Sequence, residues 1–349
     1  MSTWFAGGRY QNEYSVPTLL LIDDTLPTAG ANLPSAIFPG YLSALRQGYD
    51  TANETTAWLI GGEFYQDHRH NDRGSVVLYA LGQPLTTDWS DGYNPRVDGS
   101  YTKSSVVFAN SITGGWAVDS PSLSAGTSWA NSEVMNLVTA SDGSTVQSTA
   151  QDSGTTWTRQ VTLCHADNDH PVFFIHDSFI GASATANKVM TLNLCANGAV
   201  DSPAGSITPV VRLAPLLPSA SSPFALSAGV QRFRFTGSFG IDYDVYVISD
   251  GSQQALLGDF DLTVWNGPAT GQIEHQYSLR VNGTGDYRTL IVPWRKGQKP
   301  SDLLVQAGTS AISMQENGHV ITFTDAGYTI QQNIVPPQPP TIQVTVTHP

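Results

Sequence analysis

Thr155-Thr156-Trp157-Thr158-Arg159-Gln160-Val161-Thr162-Leu163-Cys164, joined across the polar turn Asp167-Asn168-Asp169 to Val172-Phe173-Phe174-Ile175-His176-Asp177-Ser178-Phe179, decides the fold. β-Branched and aromatic side chains fit a pleated surface, and Asp and Asn between the runs are turn formers. Strand-like runs of the same kind recur at short intervals: Ser105 to Phe108, Glu133 to Thr139, Lys188 to Leu194, Gln231 to Phe235, Tyr243 to Ile248, Leu262 to Trp265, His275 to Val281, Tyr287 to Pro293 and His319 to Phe323. Gly, Asn, Asp, Ser or Pro stands in nearly every gap, and no stretch longer than about 12 residues keeps a helical period of apolar positions. An all-β fold is expected, a large β-sandwich of many antiparallel strands.

Outward from these strands the chain divides into three parts. Residues 1–35 read as a lead-in segment, 36–332 as the sandwich and 333–349 as a Pro-rich tail. In that tail Pro336-Pro337-Gln338-Pro339-Pro340 must be extended, because Pro fixes φ and lacks an N–H. Residues 196–228, rich in Pro, Ser and Ala, are the candidate internal boundary; they look more like a long connection across the sandwich than a linker, since strand spacing resumes unchanged after them.

Composition removes several classes of function. The 349 residues carry a formal net charge of −13, with only 13% charged residues. A nucleic-acid partner needs a basic surface, and an anionic membrane is disfavoured for the same reason. No apolar run approaches the roughly 18–20 residues that span a bilayer, and no cationic, apolar leader opens the sequence. Cys164 and Cys195 are the two cysteines, each in a strand-like run. They read as buried free thiols, with one disulfide in an oxidising compartment as the alternative.

Chemistry concentrates in Gln66-Asp67-His68-Arg69-His70-Asn71-Asp72-Arg73-Gly74-Ser75, which runs into the apolar Val76-Val77-Leu78-Tyr79-Ala80-Leu81. In an extended chain His68 and His70 share a face with Gln66 and Asp72, about 6 to 7 Å apart. Beyond Asp88 comes the turn-rich, aromatic stretch from Trp89 to Tyr101, whose make-up suits a surface loop that carries function.

This order of residues resembles the heparinase II/III-like β-sandwich domain of polysaccharide lyases, a group that includes alginate and oligoalginate lyases. The resemblance rests on Gly61-Gly62, His68-Arg69-His70-Asn71-Asp72-Arg73-Gly74-Ser75, the strand ending Gly82-Gln83-Pro84-Leu85, Asp88 and a Tyr-bearing loop. Ser43-Ala44-Leu45-Arg46-Gln47-Gly48 is similar to the strand that leads in. Thr158-Arg159-Gln160-Val161 and Phe173-Phe174-Ile175-His176-Asp177 look like the family's Arg strand and its hydrophobic strand ending in Asp. The match covers about residues 40–180. It implies a large sandwich of the supersandwich kind and a lyase that cleaves a uronic-acid-containing glycan by β-elimination. A secreted or periplasmic location is expected. The family usually carries an α/α-toroid domain as well, and no such helical region is read in this chain. A helical toroid domain or a second subunit is therefore expected to complete the cleft.

The resemblance also implies roles. His68 would be the catalytic-site histidine, and Tyr93 or Tyr101 the loop tyrosine near the sugar. His70 and Asp88 would hold a zinc ion, and no organic cofactor is expected. In the family a later His completes the metal site, but the corresponding place here reads Phe108-Ala109-Asn110-Ser111, which leaves His165 or His176 as the third ligand. The residues themselves suit this chemistry. Histidine titrates near neutrality and can act as base. Arg69, Arg73 and Arg96 can pair with a carboxylate of an anionic polysaccharide or oligosaccharide, and imidazole with carboxylate suits zinc. Each has a plainer reading: His68 as a hydrogen-bonded structural residue, His70 as a neutral His held by an Asp, Tyr93 and Tyr101 as aromatics packed over turns. A non-catalytic carbohydrate-binding or accessory sandwich is the alternative function.

Overall fold

A computed structural model of the chain describes residues 33–49, 51–62, 72–86, 103–109, 112, 129–167, 169–209, 219–220, 222–263, 273–300, 303–308 and 311–332. Every paired strand among them is antiparallel, and the described residues include no helix. Thr155–His165 and Pro171–Gly181 pair along their whole length, from Pro171 opposite His165 to Gly181 opposite Thr155. They lie inside a nine-stranded sheet. On one side it continues through Gly143–Asp152 to the edge strand Ala130–Ala140. On the other it runs through Tyr287–Arg295, Ile241–Ser249, Gly229–Gly237 and Ala196–Ser202 to Gly205–Ile207.

Side chains alternate across a strand, and here both faces are buried. Odd-numbered Trp157, Val161, Leu163, Phe173 and Ile175 enter the main core, while even-numbered Cys164, Val172 and Phe174 enter a second one. The nine-stranded sheet is thus the middle layer. That is why Val172-Phe173-Phe174-Ile175 is an unbroken apolar run and not an alternating one.

Over the main core lie two sheets side by side. A five-stranded meander comprises Ala36–Phe38, Leu42–Gln47, Thr55–Ile60, Val76–Ala80 and Gln83–Pro84. A six-stranded sheet is built around Gln254–Thr263, Ile273–Gly283, Lys188–Leu194 and Val106–Phe108. Backbone bonds stitch the two together: Val76 N donates to Ser104 O at 3.1 Å and Cys195 N to Leu85 O at 2.9 Å. The opposite face of the middle sheet carries a four-stranded meander, Leu304–Ala307, Ile312–Glu316, His319–Thr324 and Gly327–Gln332, which buries Ile312, Met314, Ile321 and Phe323 against Phe174, Leu290 and Val292. Each such side chain contributes about 1.5–3 kcal/mol by leaving water.

The molecule is the expected large antiparallel sandwich. Residues 196–228 contribute Ala196–Ser202 and Gly205–Ile207 to the middle sheet and Phe224–Ala225 to the six-stranded one. Cys164 and Cys195 are buried free thiols. No described helix is long and apolar enough to cross a membrane.

Candidate functional site

Two sequence segments expected to carry chemistry leave and rejoin the same part of the five-stranded sheet. The first departs after Thr55–Ile60 and returns at Val76–Ala80. Its base is closed by backbone bonds: Ile60 N donates to Ser75 O at 2.9 Å, Gly74 N to Ile60 O at 2.6 Å, and Ser75 N to Asp72 O at 2.7 Å. The second departs after Thr86, whose Oγ1 accepts Leu78 N at 2.7 Å. It returns at Lys103 and Ser104, where Ser104 O accepts Val76 N at 3.1 Å.

One buried cation joins the two returns. Arg159 donates through Nη1 to Gly74 O at 2.7 Å and to Ser104 O at 2.8 Å. Its Nε and Nη2 meet Asp177 Oδ1 and Oδ2 at 2.7 and 2.9 Å, a bidentate pair. Both side chains are about 1% exposed. A buried guanidinium is tolerable only when paired and hydrogen-bonded, and here three of its nitrogens are satisfied. Trp157 completes the hub, donating Nε1 to Asp177 Oδ1 at 2.8 Å while its ring lies 4.9 Å from the guanidinium carbon.

Gly74 is where the hub meets the His-bearing segment. Its φ is +71°, a region that suits glycine, and a Cβ there would stand 2.3 Å from the Trp157 ring. Only hydrogen fits between this turn and the indole.

The expected site residues divide as follows. Arg73 lies half-buried in the return turn, with its carbonyl accepting Ser105 Oγ at 3.4 Å. His165 closes the far end of the Arg159 strand, six residues on, about 20 Å along it. Burial lowers its pKa, against the opposing pull of Asp142 and Asp167. His176, the other candidate third ligand, is buried with Nδ1 3.0 Å from Asp325 Oδ1. His68, Arg69, His70, Asp88, Tyr93, Arg96 and Tyr101 fall outside the described residues. Among the described residues no group of three or more His, Cys, Asp or Glu is placed to hold a metal.

Gly74, Arg159 and Asp177 carry the resemblance in sequence but have no expected role at the site, and Trp157, which could stack on a sugar face, is a core residue of the hub. The available signal was a charge of each sign inside an otherwise apolar or Thr-rich strand, in a chain poor in charge.

The three-layer architecture is similar in fold to part of two solved lyase structures. It is similar to the crystal structure of heparan sulfate lyase HepC from Pedobacter heparinus, with a TM-score of 0.53 and 12% identity. It is also similar to a heparinase III, with a TM-score of 0.51 and 11% identity. Each match covers 86% of this chain and 42% of the other, so the chain spans less than half the length of these enzymes. At such identities the likeness is one of fold. No family model matches the sequence, and no curated protein matches it.

Proposed function

We propose that this chain is the sandwich part of a polysaccharide lyase that cleaves a uronic-acid-containing glycan by β-elimination. The observation that carries the reading is the Arg159 hub, which fixes the returns of the two candidate segments beside each other on a lyase-like fold. In such a reaction a base removes the proton α to the uronate carboxylate. The electron pair forms a carbon–carbon double bond, the glycosidic C–O bond breaks, and the departing oxygen takes a proton. His68 is assigned as the catalytic-site histidine and Tyr93 or Tyr101 as the proton donor, with Arg69, Arg73 and Arg96 neutralising the carboxylate. A zinc ion held by His70 and Asp88 belongs to the same proposal, as does a helical domain or second subunit that completes the cleft; His165, at the far end of the Arg159 strand, and His176, turned to Asp325 on the other face of the middle sheet, are set aside as third ligand. When bound, the zinc would brace the loop that carries Asp88.

The test is the growth of ultraviolet absorbance from an unsaturated uronate on incubation with alginate, heparin, hyaluronan or pectic polymers. It is expected for the native chain, lost in His68→Ala and kept in a remote control variant. Full activity in His68→Ala would sink the assignment. Binding to these polymers without product would favour a non-catalytic carbohydrate module. Metal analysis, with His70→Ala as comparison, decides the zinc, and a content well below one per chain rejects it.

A further inference from the structure

The outer face of the nine-stranded sheet extends past the four-stranded meander that covers part of it. There Ala130–Ala140, Gly143–Asp152 and Thr155–His165 present amides and hydroxyls. Val146 and Ala150 of the middle strand face the main core, so Gln147 and Gln151 stand together on the outer face, about 13 Å apart along the strand. The edge strand Ala130–Ala140 shifts register twice, between Ala130 and Glu133 and between Met135 and Val138. Each shift contains an asparagine with left-handed backbone, Asn131 at φ 50° and Asn136 at φ 56°. Bulges of this kind re-aim side chains, and here each aims an amide at a glutamine. Asn131 Nδ2 donates to Gln151 Oε1 at 3.1 Å, and Asn136 Nδ2 to Gln147 Oε1 at 2.8 Å. The second pair continues inward, with Gln147 Nε2 donating to Gln160 Oε1 at 3.2 Å and Gln160 Nε2 to Thr324 O at 3.1 Å.

Each pair borders a groove. Asn136, Gln147 and Gln160 line one with a cavity volume of about 410 Å³, walled on its other side by Tyr328 and its hairpin. Asn131, Gln151 and Thr156 line another of about 450 Å³. Amides and hydroxyls predominate among the polar side chains that line both grooves, in a chain of net charge −13. Carboxylates also line them: Asp142, which accepts Tyr328 OH at 2.7 Å, and Asp325, paired with His176, in the first, and Asp152 in the second, while exposed Glu133 stands opposite Thr149 on the stretch of sheet between the two. An exposed edge strand is ordinarily protected by charge, often Lys; this one carries a single charge, Glu133, and is protected as well by bulges that cost backbone strain and carry neutral amides. A side-chain amide has two N–H donors and an acceptor oxygen; Asn131, Asn136, Gln147 and Gln160 each use one donor in these bonds, and Gln151 uses its oxygen. The remainder matches neighbouring hydroxyls of a sugar ring, while the carboxylates in and between the grooves repel an anionic one.

We propose that the two grooves are subsites of one binding platform for a neutral, polyhydroxylated glycan chain, on the outer face of the sandwich and separate from the Arg159 hub. Binding there requires neither His68 nor turnover.

The test is affinity electrophoresis of the full chain in native gels cast with a soluble neutral β-glucan, xylan or mannan, with heparin and alginate as anionic comparators. Retardation by at least one neutral polymer is expected, with affinity reduced tenfold or more in Asn136→Gly and in Gln151→Ala. Asn136→Gly removes the amide while relieving its left-handed backbone, so the variant is expected to fold at least as well as the parent, as thermal unfolding will report. Retardation by the anionic polymers alone, by no neutral polymer, or undiminished in both variants would overturn the proposal. Loss of lyase activity in His68→Ala with this retardation unchanged keeps the two sites distinguishable.

Discussion

Arg159 and Asp177 face each other in register on adjacent strands, and the guanidinium and carboxylate meet through two bonds of 2.7 and 2.9 Å. The pair sits in the middle layer with Trp157 beside it, and its remaining donors hold the backbone at Gly74 and Ser104. Removing one partner strands the other charge in a dry site, at a cost of about 3–5 kcal/mol. Asp177→Ala is therefore expected to lower the urea midpoint sharply. A loss below about 1 kcal/mol, the range of exposed pairs, would mean that the hub is wet and the ion pair weak.

Gly74→Ala tests the contact with the indole. The added methyl needs a left-handed backbone, costing about 1–2 kcal/mol, and meets the Trp157 ring at 2.3 Å. Overpacking of this kind adds about 1–3 kcal/mol. The variant is expected to melt lower, and the penalty to shrink when Trp157→Phe is combined with it, a coupling that a double-mutant cycle measures. Strict additivity would show that the two residues do not press on each other.

Acid is expected to destabilise the fold from about neutral pH downward. Burial is the largest influence on His165 and lowers its pKa, although Asp142 and Asp167 favour the charged ring. The unfolded chain thus takes up this proton first, below the ordinary value of about 6.5, and stability falls as pH drops through that range. Asp167 adds to the trend further down. Burial alone would raise its pKa, but hydrogen bonds from His170, from the Asp169 backbone and from Asn317 bring it below the usual value. Its contribution is present above the ordinary carboxylate pKa and is lost as pH falls through the folded one. Urea midpoints measured between about pH 7 and 5 should fall less in His165→Gln than in the parent; identical slopes would remove His165 from the account.

Both thiols should be silent in the native protein. Cys164 and Cys195 are buried, and burial, reinforced by Asp142 and Glu316, pushes the Cys164 thiol well above its usual range. The thiolate is the reactive form. A thiol reagent is expected to label neither cysteine until denaturant is added, and then both. Rapid labelling of Cys164 without denaturant would contradict its place in the second core.

Much of the fold was legible because burial wrote itself into local pattern. Phe173 and Phe174 both point into cores, so their strand is uniformly apolar, and the polar turn at Asp167 marks where it reverses. Gly143–Asp152 was illegible for the opposite reason: of its side chains Val146 and Ala150 alone are apolar and in the main core, while Ser, Thr and Gln fill the rest between the terminal Gly143 and Asp152. Ala196–Ser202 was hidden likewise, since pairing with Gly229–Gly237, across a register shift, makes a strand of a Gly- and Asp-containing stretch. At the site, His68 and His70 stood out by composition alone. The partnership of Arg159 with Asp177 did not, because it depends on a hairpin register that only Pro171 opposite His165 settles. The reach of Arg159 to Gly74 crosses between layers and has no local signature.

The central claim is that the chain works by elimination, and the masses of its products test it most directly. Incubation with a uronate polymer, followed by mass spectrometry of the released oligosaccharides, should give fragments with an unsaturated end whose masses sum to that of the parent segment. Gain of one water per cleavage would identify a hydrolase, and a polymer left intact across the alginate, heparin, hyaluronan and pectic series would contradict catalysis by this chain.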